Sequence, residues 1–144
     1  AYDYQDNTFY SHPGYYIDYF EMRLAQLQVL HNLHYEIKKI RKMPKQALVI
    51  ADYIMYMADY VVEMNIPDQQ IEKLEEISEQ MKQEELPKTR EEFEGRALLY
   101  HILMDLEEFL VYKKRFVNGL DEKKLRIYWK QEMEQKDSAN ELQK

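Results

Sequence analysis

The sequence predicts an all-α protein: an antiparallel four-helix bundle with an extra short C-terminal helix. Three observations carry this prediction. Apolar residues recur at spacings of three and four through most of the chain, which is the period of an amphipathic helix. Only three Gly and four Pro in 144 residues leave few places for turns. The breaks that do occur separate long periodic stretches, so short connections join neighbouring antiparallel helices.

The boundaries of the predicted elements follow the breakers and caps. In chain order they are an irregular aromatic segment (1–14), four principal helices (15–43, 45–65, 68–85 and 89–117), an accessory region with a fifth helix (118–136) and a disordered tail (137–144). The first helix stops at Pro44 and the third stops before Pro87. Thr89 followed by Glu92 is a capping box, which marks the start of the fourth helix.

The apolar seams predict which face of each helix is buried. Helix one is expected to pack through an early line, which is Ile17, Phe20, Leu24 and Leu27, and then through a neighbouring stripe, which is Leu30, Leu33, Ile37 and Ile40. Its apolar face thus slides round the helix, as packing on two partners at different heights would need. Helix two has two parallel seams, so we expect it to sit between neighbours; they are Leu48, Ala51, Met55, Ala58 and Val62, and Ala47, Ile50, Ile54, Met57 and Val61. The seams of helices three and four are Leu74, Ile77 and Met81, and Leu99, Leu103, Leu106 and Leu110.

The composition bounds the class of protein. With 45% apolar residues, a chain of this length most simply forms one domain with its own core. Cysteine is absent, which excludes disulfides and thiolate metal sites and fits a reducing compartment. No apolar stretch reaches the ~18 residues that a membrane span needs. The residues alone therefore indicate a soluble domain, which we expect to be a piece of a longer protein because its first residue is Ala1 and not Met.

Two stretches of the sequence carry a family resemblance. They are YYIDYFEMR at residues 15–23 and LPKTREEFEGRALL at residues 86–99, the latter continuing to LEEFL at 106–110 and KKRF at 113–116. Together they resemble the C-terminal domain of the putative aromatic acid exporter family of bacterial membrane proteins, over about residues 9–117. Gly95 stands where the family pattern has Asn.

The resemblance implies a function. It implies a multi-span N-terminal membrane domain outside this chain, with the present domain on the cytoplasmic side of the bacterial plasma membrane. We expect an accessory or regulatory domain that acts by contact with that membrane domain, with its own copies or with a ligand. The alternative is a stand-alone helical interaction or oligomerisation module with no link to transport.

Catalytic and metal chemistry find little support in the residues. Adjacent glutamates point ~100° apart on a helix, and the chain has no nucleophile elbow or Gly-rich phosphate loop. We therefore expect neither enzyme activity nor a cofactor. His31 and His34 are spaced as two metal ligands and could borrow His101 and Asp105, but boundary histidines explain the pattern equally well, and we expect no metal site.

Aromatic and arginine side chains form the first candidate site. Its members are Tyr16, Tyr19 and Arg23 on helix one and Arg90, Glu94 and Arg96 on helix four. Guanidinium groups bind carboxylates and tyrosine rings stack on aromatic acids, so these residues could line a pocket for an aromatic carboxylate. The alternative, which we favour, is that the arginines pair with glutamates and orient helices one and four.

Basic residues form the second candidate site. They are Lys38, Lys39, Arg41 and Lys42 at the end of helix one, and Lys113, Lys114 and Arg115 at the end of helix four. If these ends shared one pole, they could face an anionic inner-leaflet surface. The alternative is that they complement the helix dipoles. With a net charge of −7 and no continuous basic track, we expect no binding of nucleic acid.

Overall fold

Helices make up the fold. The computed structural model describes residues 12–130 and 138–143, and within these ranges it contains no strand. The main helices are α1 (Pro13–Lys38), α2 (Ala47–Ala58), α3 (Asp68–Lys82), α4 (Arg90–Asn118) and α5 (Glu122–Tyr128). The predicted all-α class is therefore confirmed. None of the helices in the described ranges is both long and apolar enough to cross a membrane.

Parts of the predicted end segments lie outside the described residues. These parts are residues 1–11 of the aromatic segment, residues 131–136 of the accessory region, and residues 137 and 144 of the tail. Within the tail that is described, residues 138–142 form a short helical stretch where the sequence analysis expects disorder.

Capping side chains begin the last two helices. The Thr89 hydroxyl accepts a hydrogen bond from the Glu92 backbone N–H at 3.1 Å, as the capping box requires. The Glu92 carboxylate accepts from the backbone N–H of Lys88 at 2.8 Å, one residue before the expected donor. Asp121 caps α5 in the same way through the N–H of Lys124. Local sequence therefore sets the start of both helices.

The first helix is displaced from its predicted bounds at both ends. It begins at Pro13 because proline, which lacks an N–H, suits the first turn of a helix as well as it suits a break. It ends at Lys38, five residues before the prediction, and residues 39–46 form the connection to α2. This connection crosses α4 at Gly95, where an added Cβ would lie 3.0 Å from Cγ of Pro44. Gly95 therefore permits the crossing.

The long helix α4 lies at the centre of the bundle. It packs antiparallel to α1 along much of its length, antiparallel to α3 on a second side, and parallel to α2 between them. Contacts at the two ends fix the direction of α1: its Tyr15 ring lies 5.5 Å from the Phe116 ring, and Pro44 lies beside Gly95. The backbones of α1 and α2 do not approach each other closely. The bundle is thus open between α1 and α2.

The core lies where α4 meets the other three principal helices. The predicted seams of α3 and α4 are buried, which confirms that part of the sequence analysis. The core cluster consists of Val29, Leu33, Ala47, Ile50, Tyr53, Met57, Leu74, Ile77, Met81, Leu99, Ile102, Leu103, Leu106, Phe109 and Leu110. One contiguous apolar cluster therefore joins all four principal helices.

The early line predicted for α1 is wrong, whereas Leu33 of the second predicted stripe is buried in the core. Residues Ile17, Phe20, Leu24 and Leu27 of the early line are all more than half exposed, and the core side of the helix carries Met22, Gln26, Val29 and Leu33. One seam of α2 is likewise on the outside, since Leu48, Met55 and Val62 are more than half exposed. Helix α1 carries apolar lines on opposite faces and α2 carries two neighbouring ones, and helical periodicity does not say which line faces the core.

We predict that truncation of the α4 seam destabilises the fold strongly. Leu106 is 1% exposed, so Leu106→Ala should lower the free energy of unfolding by about 2–5 kcal/mol through lost burial and a cavity. Leu86 is 85% exposed, so Leu86→Ala should change it by less than about 0.5 kcal/mol. Urea unfolding followed by circular dichroism measures both. Equal losses in the two variants would contradict the assigned core.

Candidate functional site

A buried lysine and the residues around it form the most unusual polar feature of the bundle. We call it the Lys113 cluster, consisting of Tyr15, Arg23, Glu63, Lys113 and Trp129. It lies where the start of α1, the α2–α3 connection, the end of α4 and the end of α5 converge. Four separate segments of the chain are therefore held at one point.

Lys113 bonds to backbone and not to an acidic side chain. Its ammonium donates to the carbonyl oxygens of Val62 at 2.7 Å and Glu63 at 2.6 Å, in the connection that follows α2. Its Nζ also lies 5.7 Å from the centroid of the Trp129 ring, within the range of a cation–π contact. The lysine thus ties the end of α4 to the backbone of the α2–α3 connection.

Burial makes the charge of Lys113 sensitive to pH. Burial, together with the nearby Arg23 guanidinium, lowers the pKa of the Lys113 ammonium to about 7, while Glu63 acts in the opposite direction. The side chain is 4% exposed, so little water solvates the charge. Lys113 therefore changes its protonation near neutral pH, which an ordinary surface lysine does not do.

Tyr15 connects the cluster to α1 and α5. Its hydroxyl donates to Oε1 of Glu63 at 3.0 Å and accepts from Nε1–H of Trp129 at 2.8 Å. Its ring stacks on Tyr128 with centroids 4.4 Å apart. Burial raises the pKa of Tyr15 above its ordinary value, so the hydroxyl stays protonated and can donate.

Arg23 forms its hydrogen bonds within α1. Its Nε donates to the Tyr19 hydroxyl at 3.0 Å and its Nη1 donates to Oε1 of Gln26 at 2.7 Å. The buried Gln26 in turn donates to the carbonyl oxygen of Phe109 on α4 at 2.8 Å. Arg23 thus helps to orient α1 on α4, although through an amide relay and not through the glutamate that the sequence analysis proposed.

The arginines of α4 lie at the other end of the bundle. Because α1 and α4 are antiparallel, Arg90, Glu94 and Arg96 are close to the end of α1 and far from Tyr16, Tyr19 and Arg23. Arg90 and Glu94 are exposed, and Nη1 of Arg96 donates to the carbonyl oxygen of Glu85. The six residues therefore do not form one pocket, and the predicted combination is corrected.

Neither of the cavities near these arginines suits an aromatic acid. The space between Arg23, Gln26 and Lys113 is about 10 Å³, room for about one water molecule. The cleft beside Arg96 is larger, at about 560 Å³, and is open to solvent between the α1–α2 and α3–α4 connections. Its lining carries charges of both signs and no aromatic ring; it includes Lys42, Lys45, Glu84, Glu85, Lys88 and Arg96.

The basic residues do not share a pole. Lys38, Lys39, Arg41 and Lys42 are exposed near the end of α1, and the end of α4 lies at the opposite end of the bundle. There Lys113 is buried, Lys114 pairs with Asp68, and Arg115 is exposed. An up-down-up-down bundle sends the C-termini of its first and fourth helices to opposite ends, which the sequence analysis overlooked.

The histidines do not assemble with other metal ligands. His31 and His34 are exposed on α1, and the His31 ring lies edge-on to Tyr35 with centroids 4.9 Å apart. On α4, Nδ1 of His101 lies 3.7 Å from Oδ2 of Asp105, a buried atom for which the described residues provide no hydrogen-bond partner. Burial raises the pKa of Asp105. The described ranges contain no group of three or more residues placed to hold a metal ion.

Sequence reasoning missed the burial of Lys113. Lysine is ordinarily exposed, and the residue was grouped with its basic neighbours. The signal was nevertheless present, because Lys113 follows Leu110 by three residues and precedes the buried Val117 by four. It therefore continues the α4 seam.

Sequence comparisons assign the chain to a family of helical domains from membrane exporters. Residues 1–114 match the family described as the putative aromatic acid exporter C-terminal domain, so the chain belongs to that family and the resemblance is confirmed. A curated relative is the uncharacterised protein YqjA of Bacillus subtilis (strain 168), 32% identical over 98 residues. The match covers 68% of this chain and 30% of YqjA, so the chain spans less than a third of that relative. No solved structure matches.

We predict that Lys113 makes stability depend on pH. Its pKa is lower in the folded state, so between about pH 7 and its unfolded pKa of about 10.5 the unfolded chain binds more protons. The free energy of unfolding should therefore rise by about 1–3 kcal/mol from pH ~6.5 to pH ~9.5, relative to Lys113→Met. Urea titrations at several pH values measure the difference.

The single tryptophan of the chain provides the control. Because Trp129 is the only Trp and faces Lys113, its fluorescence in the folded protein should titrate near neutral pH. Lys113→Met should remove that titration, and Lys130→Met, in an exposed lysine next to Trp129, should keep it. Parallel stability profiles for wild type and Lys113→Met would contradict the assignment.

Proposed function

We propose that this chain is a non-catalytic accessory domain on the cytoplasmic side of an exporter-like membrane protein, where it acts by protein–protein contact. Family membership supports the link to an exporter. The chain corresponds to under a third of YqjA, and most of that relative lies outside the matched region. The absence of cysteine fits a reducing compartment such as the cytoplasm.

One observation carries the proposal that contact is the mode of action. The bundle has a filled core of its own, yet α1 and α2 leave a line of large apolar side chains in water. A soluble monomer rarely exposes contiguous apolar surface of this kind, and such surfaces mark sites of association. The proposed accessory role therefore depends on the exposed apolar surface of α1 and α2.

Ligand sensing receives less support. An aromatic carboxylate would need an apolar or aromatic cavity with a few placed polar groups. The cleft beside Arg96 is open and lined by charge, and the space beside Arg23 has no room for a ring. The alternative of a stand-alone module shares the same surfaces and differs in needing no membrane protein.

The role is tested by deletion in a full-length family member. Removing the region that matches residues 13–118 should lower efflux of a radiolabelled aromatic acid that the intact protein exports, several-fold per molecule of membrane-inserted protein, because the contacts made by the domain are lost. Grafting this chain into the deleted position should restore efflux. Unchanged efflux after the deletion, at equal membrane abundance, would exclude the accessory role and favour the stand-alone module.

A further inference from the structure

An apolar stripe runs along the outside of α1. Its residues are Ile17, Phe20, Leu24 and Leu27, which are between 51 and 65% exposed. The spacing of three and four residues places them on one face of the helix, roughly opposite Met22, Val29 and Leu33, which enter the core. The helix is therefore apolar on two opposite faces, and its own bundle covers only one of them.

A second stripe continues this surface on α2. Leu48 and Met55 are more than half exposed, and the exposed Ala51 and Ala58 lie beside them along the helix. Val62, also more than half exposed, follows in the connection after α2. The Tyr53 and Tyr56 side of α2 turns toward α3, since the Tyr53 hydroxyl donates to the Gln70 carbonyl oxygen at 2.6 Å. The opposite flank, where Ala51 and Ala58 lie, therefore turns toward α1.

One edge of the α1 stripe, formed by Phe20 and Leu27, lies on the side of α1 nearer α2. Gln26 faces α4 through its bond to Phe109, and Arg23 lies beside Tyr60 and Val61 at the end of α2. Each residue turns an α-helix by about 100°, and this places Phe20 and Leu27 further round α1 in the same direction. The two stripes thus border the opening between α1 and α2. We call them together the α1–α2 face: Ile17, Phe20, Leu24, Leu27, Leu48, Met55 and Val62.

The size of this face matches an interface. Seven large apolar side chains, each more than half exposed, present a patch on the order of several hundred Å². A stable complex buries about 800 Å² on each partner, of which the apolar centre is a part and a polar rim the remainder. The α1–α2 face with its charged surroundings has the extent that such a complex needs.

The charges at its two ends favour a particular partner. At the end where α1 begins lie the exposed acids Asp18, Glu21 and Asp59. At the end where α1 stops lie the exposed cations Lys38 and Arg41, whereas Lys42 and Lys45 line the cleft of mixed charge beside Arg96. A two-fold axis through the middle of the face would set the acidic end of one copy on the basic end of another. A parallel pair would oppose like charges, and an anionic bilayer would repel the acidic end.

We infer that a second copy of this chain covers the α1–α2 face, with the two α1 helices antiparallel about a two-fold axis. Leu24 and Leu27 lie near the middle of α1 and supply the centre of the contact, and the opposite charges form its rim. The pairing of ends also offsets the repulsion between two chains of net charge −7. The inference deepens the proposed function, since it names the partner that covers the exposed surface, and measuring the mass of the chain and measuring efflux test the two separately.

Sedimentation equilibrium of the 144-residue chain tests the inference directly. Over about 1–200 μM the mass should rise from the 17.7 kDa of one chain toward twice that value. The double variant Leu24→Lys with Leu27→Lys should weaken association roughly 100-fold or more, because it removes the apolar centre and opposes four ammonium groups. Met104→Lys, equally exposed at 65% but on α4, should leave association unchanged. Far-ultraviolet circular dichroism verifies that each variant is folded.

Charge reversal tests the antiparallel arrangement. Asp18→Lys with Glu21→Lys should weaken association, and so should Lys38→Glu with Arg41→Glu. Combining all four substitutions should restore it, since each end again meets its opposite. A monomer over the whole concentration range, a dimer lost only in Met104→Lys, or a combined variant no better than its parents would overturn the inference. Binding of monomeric chain to phosphatidylglycerol vesicles through Leu24 and Leu27 would also overturn it.

Discussion

The width of the apolar face of α4 is the constraint on which the bundle depends. This 29-residue helix buries residues at Leu99, Ile102, Leu103 and Leu106 and continues so to Val117, a stripe broad enough to take α1, α2 and α3 side by side. No other helix in the described ranges contacts all three of its principal neighbours in this way. Because α4 alone supplies a common surface, α1 and α2 can remain apart, and the outer flanks of both stay in water.

The Lys113 cluster forms one end of the bundle, directly beyond the apolar core. Helix α2 ends at Ala58, although the apolar pattern of the sequence continues to Val62. In the connection that follows, the backbone carbonyls of Val62 and Glu63 accept hydrogen bonds from a side chain. A lysine from α4 provides them at the expense of removing its charge from water. The same group touches Trp129, so α5 is attached to the end of the bundle through polar contacts and ring stacking.

Local signals in the sequence were read correctly, and non-local ones were not. The capping box at Thr89 and the seams of α3 and α4 depend on residues close in sequence, and each was predicted. The buried face of α1 was not, because the helix carries apolar residues on both sides and only the position of α4 decides between them. The predicted site of tyrosines and arginines is wrong for the same reason, because the topology of the bundle, and not the local sequence, decides which ends of α1 and α4 meet. Gln26 and Lys113 are buried polar residues that propensity places on the surface.

The crossing at Gly95 makes the shape of the cleft beside Arg96 depend on a single position of the backbone. The α1–α2 connection passes so close to α4 that Pro44 would meet even a methyl group, and this connection forms one wall of the open cleft beside Arg96. Any larger side chain at position 95 would require Pro44 to move by a few tenths of an ångström. The outline of that cleft therefore changes with a single side chain, while the core beneath it stays the same.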